Sequence, residues 1–343
     1  MEDKKFSVII PIYNGAETIE KLFGSIIMQE QYIHEVIICN DRSTDNTLDV
    51  VEKYKNILPL KIITTPDFLD RGAGNARQCG LDIATGDWVV FADADDVFSY
   101  SCFYIYDQII LHNPDVKLIA TAFDEIDKFF NKGMHYVGAM AWVHGKCFNI
   151  KYIKNHNISF PKNVYTHEDK YFVYRMWNCL RAEKLDGIAL DQTTYYWTAR
   201  EDSITHSSDY VLHSFIDSAN AVIEPWEICK KEYKLSYLKM QEIFGTEPIN
   251  CVFEMYAKIQ CFWHVYGKEI TLIEGYEPFI KLYSRIKDIF KFNGNDFIEY
   301  ARKHPEELQS RRYDSLRTMG DYVEQQTFAQ FIEEAEQKLR IAS

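Results

Sequence analysis

Trp88-Val89-Val90-Phe91-Ala92-Asp93-Ala94-Asp95-Asp96 sets five apolar residues directly against three carboxylates. An apolar run without alternation is the pattern of a strand buried on both faces. Carboxylates crowded just past such a strand repel one another, which suggests a divalent cation, with an acidic, solvated turn as the alternative. Mg²⁺ and Mn²⁺ prefer oxygen ligands and often share them with a substrate's phosphates. Outward from this stretch the same grammar repeats. Phe6-Ser7-Val8-Ile9-Ile10-Pro11-Ile12 is another buried-strand run, turned by Tyr13-Asn14-Gly15. Ile19, Leu22, Phe23, Ile26 and Ile27 then follow helical spacing over 17–29. A second strand over 35–40 ends in Asp41-Arg42-Ser43-Thr44-Asp45, followed by a helix over 46–56 and a third strand at Leu60–Thr64. A Gly-rich loop at 71–75 and a helix through Ala84 lead back to the opening stretch.

Strand and helix alternate through the first hundred residues, which predicts a mostly parallel sheet covered by helices. Tyr13 and Asn14, Asp41, and Asp93 to Asp96 all sit where strands end. In open α/β sheets that is where ligands bind. No G-x-G-x-x-G follows the first strand and no G-x-x-x-x-G-K-[ST] occurs, so dinucleotide and P-loop readings lose their motifs.

Beyond about residue 210 the texture changes to amphipathic stretches. Ile249, Val252, Phe253, Tyr256, Ile259 and Trp263 follow helical spacing behind Glu247-Pro248, and Phe328, Phe331, Ile332, Ala335 and Leu339 repeat the pattern. The expectation is an α/β domain over 1–210 and a smaller all-helical domain over 211–343. Over 281–317 there are nine Lys or Arg against six Asp or Glu; Lys281, Arg285, Lys287 and Lys291 could meet an anionic acceptor or a membrane surface, or simply be solvated.

Of the 343 residues, 47% are hydrophobic and 15% aromatic, which argues against disorder. A formal charge of −13 disfavours non-specific nucleic-acid binding. The eight cysteines form no CxxC pair and read as reduced core residues, as in a cytoplasmic protein. No signal peptide is read at the start. The apolar stretch over 251–266 is broken by Glu254, Lys258 and His264, so no membrane span is expected, though peripheral contact with a membrane is open.

Five motifs in order make the chain resemble the family-2 glycosyltransferases with the GT-A fold, a Rossmann-like sheet with flanking helices. Val8-Ile9-Ile10-Pro11-Ile12-Tyr13-Asn14 is similar to their opening strand and nucleotide-contacting turn, and Asn40-Asp41-Arg42-Ser43-Thr44-Asp45 to the motif written DDGSTD. Gly72 to Gln78 resembles the segment ending in A-R-N. The stretch from Gly86 to Asp96 resembles the strand ending in D-x-D, and His167-Glu168-Asp169-Lys170 the later E-D motif. The chain departs from the pattern at Asn40 and Arg42, where the family has Asp and Gly, and at Asp70 and Gln78, where it commonly has Asn.

The resemblance implies an inverting transfer from a nucleotide diphosphate sugar, UDP favoured, assisted by Mn²⁺ or Mg²⁺. Pro11, Tyr13 and Asn14 would border the nucleotide, Asp41 would accept the uracil imide N–H, and Arg77 would approach the diphosphate. Asp93 would contact the ribose or a metal-bound water, and Asp95 would ligate the metal. Glu168-Asp169 opens a helix-like run, where the helix dipole favours ionised acids; the resemblance makes Asp169 the base, with Glu168 in support. His206, behind a closing segment over 195–205, is a further candidate metal ligand, and His144 and His167 rank below it. Surface polysaccharide, a teichoic acid-like polymer, a peptide or hydroxyl-bearing nucleic acid remain open as acceptors, and the helical domain would select the acceptor or join copies of the chain. A nucleotidyltransferase would need a Gly/Arg/Lys-rich loop after the first strand, which Tyr13-Asn14-Gly15-Ala16-Glu17 is not. A non-catalytic nucleotide-sugar-binding protein is the other alternative.

Overall fold

Four apolar runs form one half of the sheet: β1 (Phe6–Ile12), β2 (Ile33–Asn40), β3 (Leu60–Thr64) and β4 (Trp88–Phe91). They lie parallel in the order β3-β2-β1-β4. The computed structural model describes residues 5–127, 129–162, 164, 166–199, 208–266, 276–306 and 325–342. Val8, Ile9, Ile10, Val36, Ile37, Ile38, Val89 and Phe91 are all fully buried although neighbours point to opposite faces, so both faces are covered. One cover is α1 (Ile19–Ile27), which lays Ile19, Leu22, Phe23 and Ile26 into the core. Each such side chain contributes about 1.5–3 kcal/mol of burial.

The chain leaves β1 towards β2 and β3 on one side, then returns to β4 on the other. The carboxyl ends of β1 and β4 therefore flank a topological switch point, where open sheets build their sites. Beyond β4 the sheet is mixed. β8 (Lys146–Asn149) runs antiparallel to both β4 and β6 (Leu118–Ile126). β9 (Ile188–Thr198) is parallel to β6, while β5 (Val97–Phe98) and β7 (Lys132–Tyr136) are antiparallel to β9 and β6. The parallel half follows the regular alternation of strand and helix; past β4 short returns such as the β6–β7 connection allow antiparallel pairing. The remaining helices of this unit are α2 (Thr47–Glu52), α3 (Ala73–Ile83), α4 (Cys102–His112), α5 (Ile150–Asn155) and α6 (Glu168–Ala182).

The chain divides into compact units at Met1–Ser207 and Ser208–Ser343. In the second, the described residues form α7 (Ser208–Glu232), α8 (Tyr237–Phe244), α9 (Glu247–Tyr266), α10 (Glu277–Phe290), α11 (Gly294–Lys303) and α12 (Gln325–Ala342). Aromatic rings fill its core: Trp226 meets Phe290 edge-on at 5.1 Å, and Phe331 meets Phe279 at 4.7 Å and Tyr256 at 5.1 Å. Two cations of the basic stretch are spent inside this unit. Arg285 forks onto Glu227 at 2.8 and 2.7 Å and reaches Asn220 at 2.7 Å, and Lys287 holds Glu336 at 2.7 Å. Those two act as struts between helices, not as a free anion-binding face.

Cys39, Cys102 and Cys147 are buried thiols without a disulfide. Among the described residues no helix is long and apolar enough to cross a membrane.

Candidate active site

The exits of β1 and β2 are locked together. The Asn14 side-chain oxygen accepts from the Thr44 N–H at 2.8 Å, while the Asn14 N–H donates to Ser43 Oγ at 3.0 Å. Asn14 takes a positive φ of 50°, which asparagine tolerates better than most residues. It thus clamps the two turns. Pro11 is buried in β1 opposite Cys39. Tyr13 is half exposed, and the Arg71 guanidinium lies 5.0 Å over its ring. Asp41 is buried, and its carboxylate accepts from Thr65 Oγ1 at 2.6 Å, Gly72 N–H at 2.8 Å and Arg42 at 3.0 Å.

Arg42 stands at φ 60°, which explains why glycine suits this position in the resembling motif. Its guanidinium bonds the Leu69 carbonyl at 3.0 Å as well as Asp41. The arginine that departs from the family motif is thus tied down along the loop.

The acidic turn after β4 separates its three carboxylates by environment. Asp96 is fully buried. It accepts the Thr198 N–H at 2.8 Å and takes the Tyr195 hydroxyl at 2.5 Å. Burial, with the charges of Asp93 and Asp95, pushes it well above the usual carboxylate range. Asp93 is the opposite case. Burial works to raise it, but Arg77 at 2.6 Å and His144 at 3.3 Å outweigh that and hold it far below the usual range. Asp95 is part-exposed.

Arg77 is 3% exposed and spans two distant segments. One end of its guanidinium bonds Asp93 at 2.6 Å and the other bonds Glu168 at 2.6 Å. Burial disfavours its charge, but Asp93, Glu168 and Asp169 more than compensate, so it stays a cation. It therefore ties the acidic turn to the start of α6. His167, just before that helix, is held at φ 63°. α3 approaches so closely that a Cβ on Gly74 would sit 2.7 Å from Glu168 Cγ. Asp169 is part-exposed. Burial first, then the charge of Glu168, pushes its carboxyl up to about 7, with Arg77 opposing. Nearby, burial lowers the wholly enclosed Lys146 to about 7, with the charge of Asp169 opposing.

Arg77, Asp93, Glu168 and Asp169 thus share one electrostatic neighbourhood, in which Arg77 spends its charge on carboxylates. Asp93, Asp96 and His144 present ligand atoms within 4.8 Å of one another. His144, ranked low from sequence, belongs to this cluster, whereas His206 lies outside the described residues. Tyr195 opens the expected closing segment but was given no role of its own, and Lys146 was not foreseen. Their signal is tertiary: a hydroxyl on β9 and an amine on β8. A cavity of about 460 Å³ lies elsewhere, between Asn293, Ile298, Ile332 and Glu336 in the second unit. There Glu336 already holds Lys287 and Tyr283, so the reactive groups are at the β4 exit.

A sheet with its switch point at β1 and β4, an acidic turn there, and an acidic helix start tied to that turn is the organisation of a GT-A glycosyltransferase domain. Residues 7–176 match the family model for Glycosyl transferase family 2, and through this unit the chain belongs to that family. It is 30% identical over 224 residues to the poly(ribitol-phosphate) β-N-acetylglucosaminyltransferase TarS of Staphylococcus aureus strain Mu50, covering 60% of this chain and 38% of that protein. It is 25% identical over 217 residues to a poly(ribitol-phosphate) β-glucosyltransferase of Bacillus spizizenii, covering 57% of this chain and 33% of that one. The aligned region spans well under half the length of either relative. The crystal structure of S. aureus TarS 1–349 in complex with UDP-GlcNAc superposes with a TM-score of 0.68 at 20% identity, over 97% of this chain and 92% of that one, and shares the fold.

Proposed function

We propose that the chain transfers a sugar, with inversion, from a UDP-linked donor to a hydroxyl of a polymeric acceptor. The observation that carries this reading is the Arg77 bridge between Asp93 and Glu168. It couples the turn suited to a diphosphate with the helix start that bears Asp169. The acceptor oxygen bonds to the anomeric carbon as the bond to the nucleotide breaks, and Asp169 takes the hydroxyl proton. A base works best with a pKa near the working pH, and burial beside Glu168 puts Asp169 there. Glu168, spent on Arg77, orients rather than accepts. Tyr13 offers its exposed ring to the nucleobase. Asp41, already accepting three hydrogen bonds, holds the loop around it and has lone-pair capacity left for one imide donor.

The residues fit a hard cation. Asp93 is held ionised and part-exposed and Asp95 is part-exposed beside it, both oxygen donors, while Asp96 is fully buried and pushed towards its neutral form. Asp95 and Asp93 are therefore the residues that would hold Mn²⁺ or Mg²⁺, which supplies Lewis-acid neutralisation of the departing diphosphate. The names of the relatives favour a polyol-phosphate polymer of the teichoic acid kind as acceptor, from which the sugar-accepting hydroxyl comes. The unit Ser208–Ser343 is assigned to acceptor choice or to joining copies of the chain. The cytoplasm or its membrane surface is the proposed place of action.

Incubating the chain with UDP-sugars, Mn²⁺ and a poly(ribitol phosphate) acceptor tests this directly. Release of UDP with a glycosylated polymer is expected. Release of pyrophosphate from UTP and a sugar phosphate would instead indicate nucleotidyl transfer, and inertness towards every nucleotide sugar would indicate a binding protein.

A further inference from the structure

Lys146 is 1% exposed, and its ammonium donates to three backbone carbonyls: Ala139 at 2.6 Å, Trp142 at 2.7 Å and His144 at 3.4 Å. Three carbonyls converge on its Nζ, so the amine is spent on curling residues 139–144 around itself. A buried charge is costly, and an apolar side chain could fill the same volume without that curl. What the curl achieves is visible at its end. Gly145 turns at φ 62°, and its carbonyl accepts both the Thr121 N–H at 2.7 Å and Thr121 Oγ1 at 2.8 Å. A Cβ there would lie 2.8 Å from the Thr121 carbonyl oxygen, so the turn admits only glycine.

His144 is delivered from this turn onto the acidic site. Its ring stacks on Tyr195 at 4.9 Å and 8°, meets Phe123 edge-on at 5.8 Å, and sets Nε2 3.3 Å from Asp93 Oδ2. Nδ1 is buried without a hydrogen-bond partner, so the stack and the loop orient the ring, not a second bond of its own. Tyr195, beneath it, accepts the Asp93 N–H at 3.0 Å and donates to Asp96. We propose that Lys146 is a positioning residue that acts through the 139–144 loop and His144 on the Asp93–Asp96 turn. The inference rests on reading that turn as the diphosphate and metal site.

The test is a double-mutant cycle on UDP binding by calorimetry, with Mn²⁺ and with EDTA, well below the melting temperature. Lys146→Met and His144→Ala should each lower the Mn²⁺-dependent affinity about tenfold, leave the EDTA affinity unchanged, and together lose no more than the worse single variant, because both break one chain of contacts. Should Lys146→Met prove unfolded by circular dichroism, Lys146→Gln, which keeps a donor at shorter reach, enters the cycle with the same expectation. Additive losses, or a lowered melting temperature with unchanged Mn²⁺-dependent affinity, would overturn the inference alone. A wild-type chain that binds no UDP in either condition would overturn the reading of the site and this inference with it.

Discussion

The two ends of one sheet treat buried carboxylates in opposite ways. Near the start of β2, Glu35 is 2% exposed and fully served: Ser7 Oγ at 2.6 Å, Thr85 N–H at 2.7 Å and Lys61 at 2.5 Å. Burial would raise it, but those partners pull it down to about 2. At the carboxyl end, Asp169 has the Lys170 N–H at 2.7 Å among its partners, a like charge beside it, and a pKa pushed to about 7. Satisfied acids hold a fold, while an acid kept short of partners is available for proton transfer. The chain spends stability at one end of the sheet and gains it at the other.

The sharpest way to break that contrast is to remove each carboxylate's charge. Asp169→Asn should lower kcat by about 10² to 10⁴-fold, the usual worth of a general base, with UDP affinity unchanged. Glu168→Gln should cost less, and Glu35→Gln should leave kcat alone. If Glu168→Gln were the inactive variant and Asp169→Asn the active one, the roles would be reversed. Next in size, Asp95→Asn should weaken UDP binding about tenfold or more in Mn²⁺ while leaving binding in EDTA unaltered, read by calorimetry. Equal wild-type affinity in Mn²⁺ and EDTA would remove the metal from the account.

Stability should separate the two ends with opposite signs. The native state holds Asp169 protonated up to about pH 7, so its ionisation destabilises the fold progressively as pH rises from about 4 through 7. Asp169→Asn should therefore be the more stable protein at pH 8, by about 1–3 kcal/mol, with the gain vanishing near pH 4. Glu35 runs the other way: its contribution is present above about 4.5 and lost as pH falls through about 2. Glu35→Gln should cost about 2 kcal/mol at pH 7, allowing for solvent screening on the exposed Lys61 side. Denaturant melts at several pH values measure both. The smallest change in UDP affinity is expected on removing the second unit. A chain ending at residue 207 should keep UDP affinity within about twofold, if soluble, yet lose transfer to the polymer; full transfer by the shortened chain would leave Ser208–Ser343 without an acceptor role.

Much of this was legible in sequence because it is local. The runs at 6–12, 35–40 and 88–91 are too apolar to be anything but doubly covered strands, and their polar exits fall at the sheet's switch point. The pair Glu168-Asp169 announced itself at a helix start. The mixed half of the sheet was less legible, because β5 has two residues and β8 four, too few to carry a period. The roles within the acidic turn were also hidden. Which of Asp93, Asp95 and Asp96 is committed to the fold depends on Arg77, Tyr195 and Thr198, which lie 16 to 102 positions away. Asn14 was read as bordering the nucleotide; that it also clamps Thr44 was hidden, because a side chain's direction at a positive φ is not written in its neighbours.

The measurement that tests the central claim most directly is the pH dependence of kcat/KM for sugar transfer from a UDP donor, in wild type and in Asp169→Asn. Since kcat/KM reports the ionisations of the free enzyme, the wild-type logarithm should climb with unit slope and level off near pH 7, where Asp169 becomes a carboxylate. The Asp169→Asn profile should be low and lack that inflection. A wild-type profile already level from pH 5, or an inflection near 7 that survives in Asp169→Asn, would contradict the assignment of Asp169 as the base.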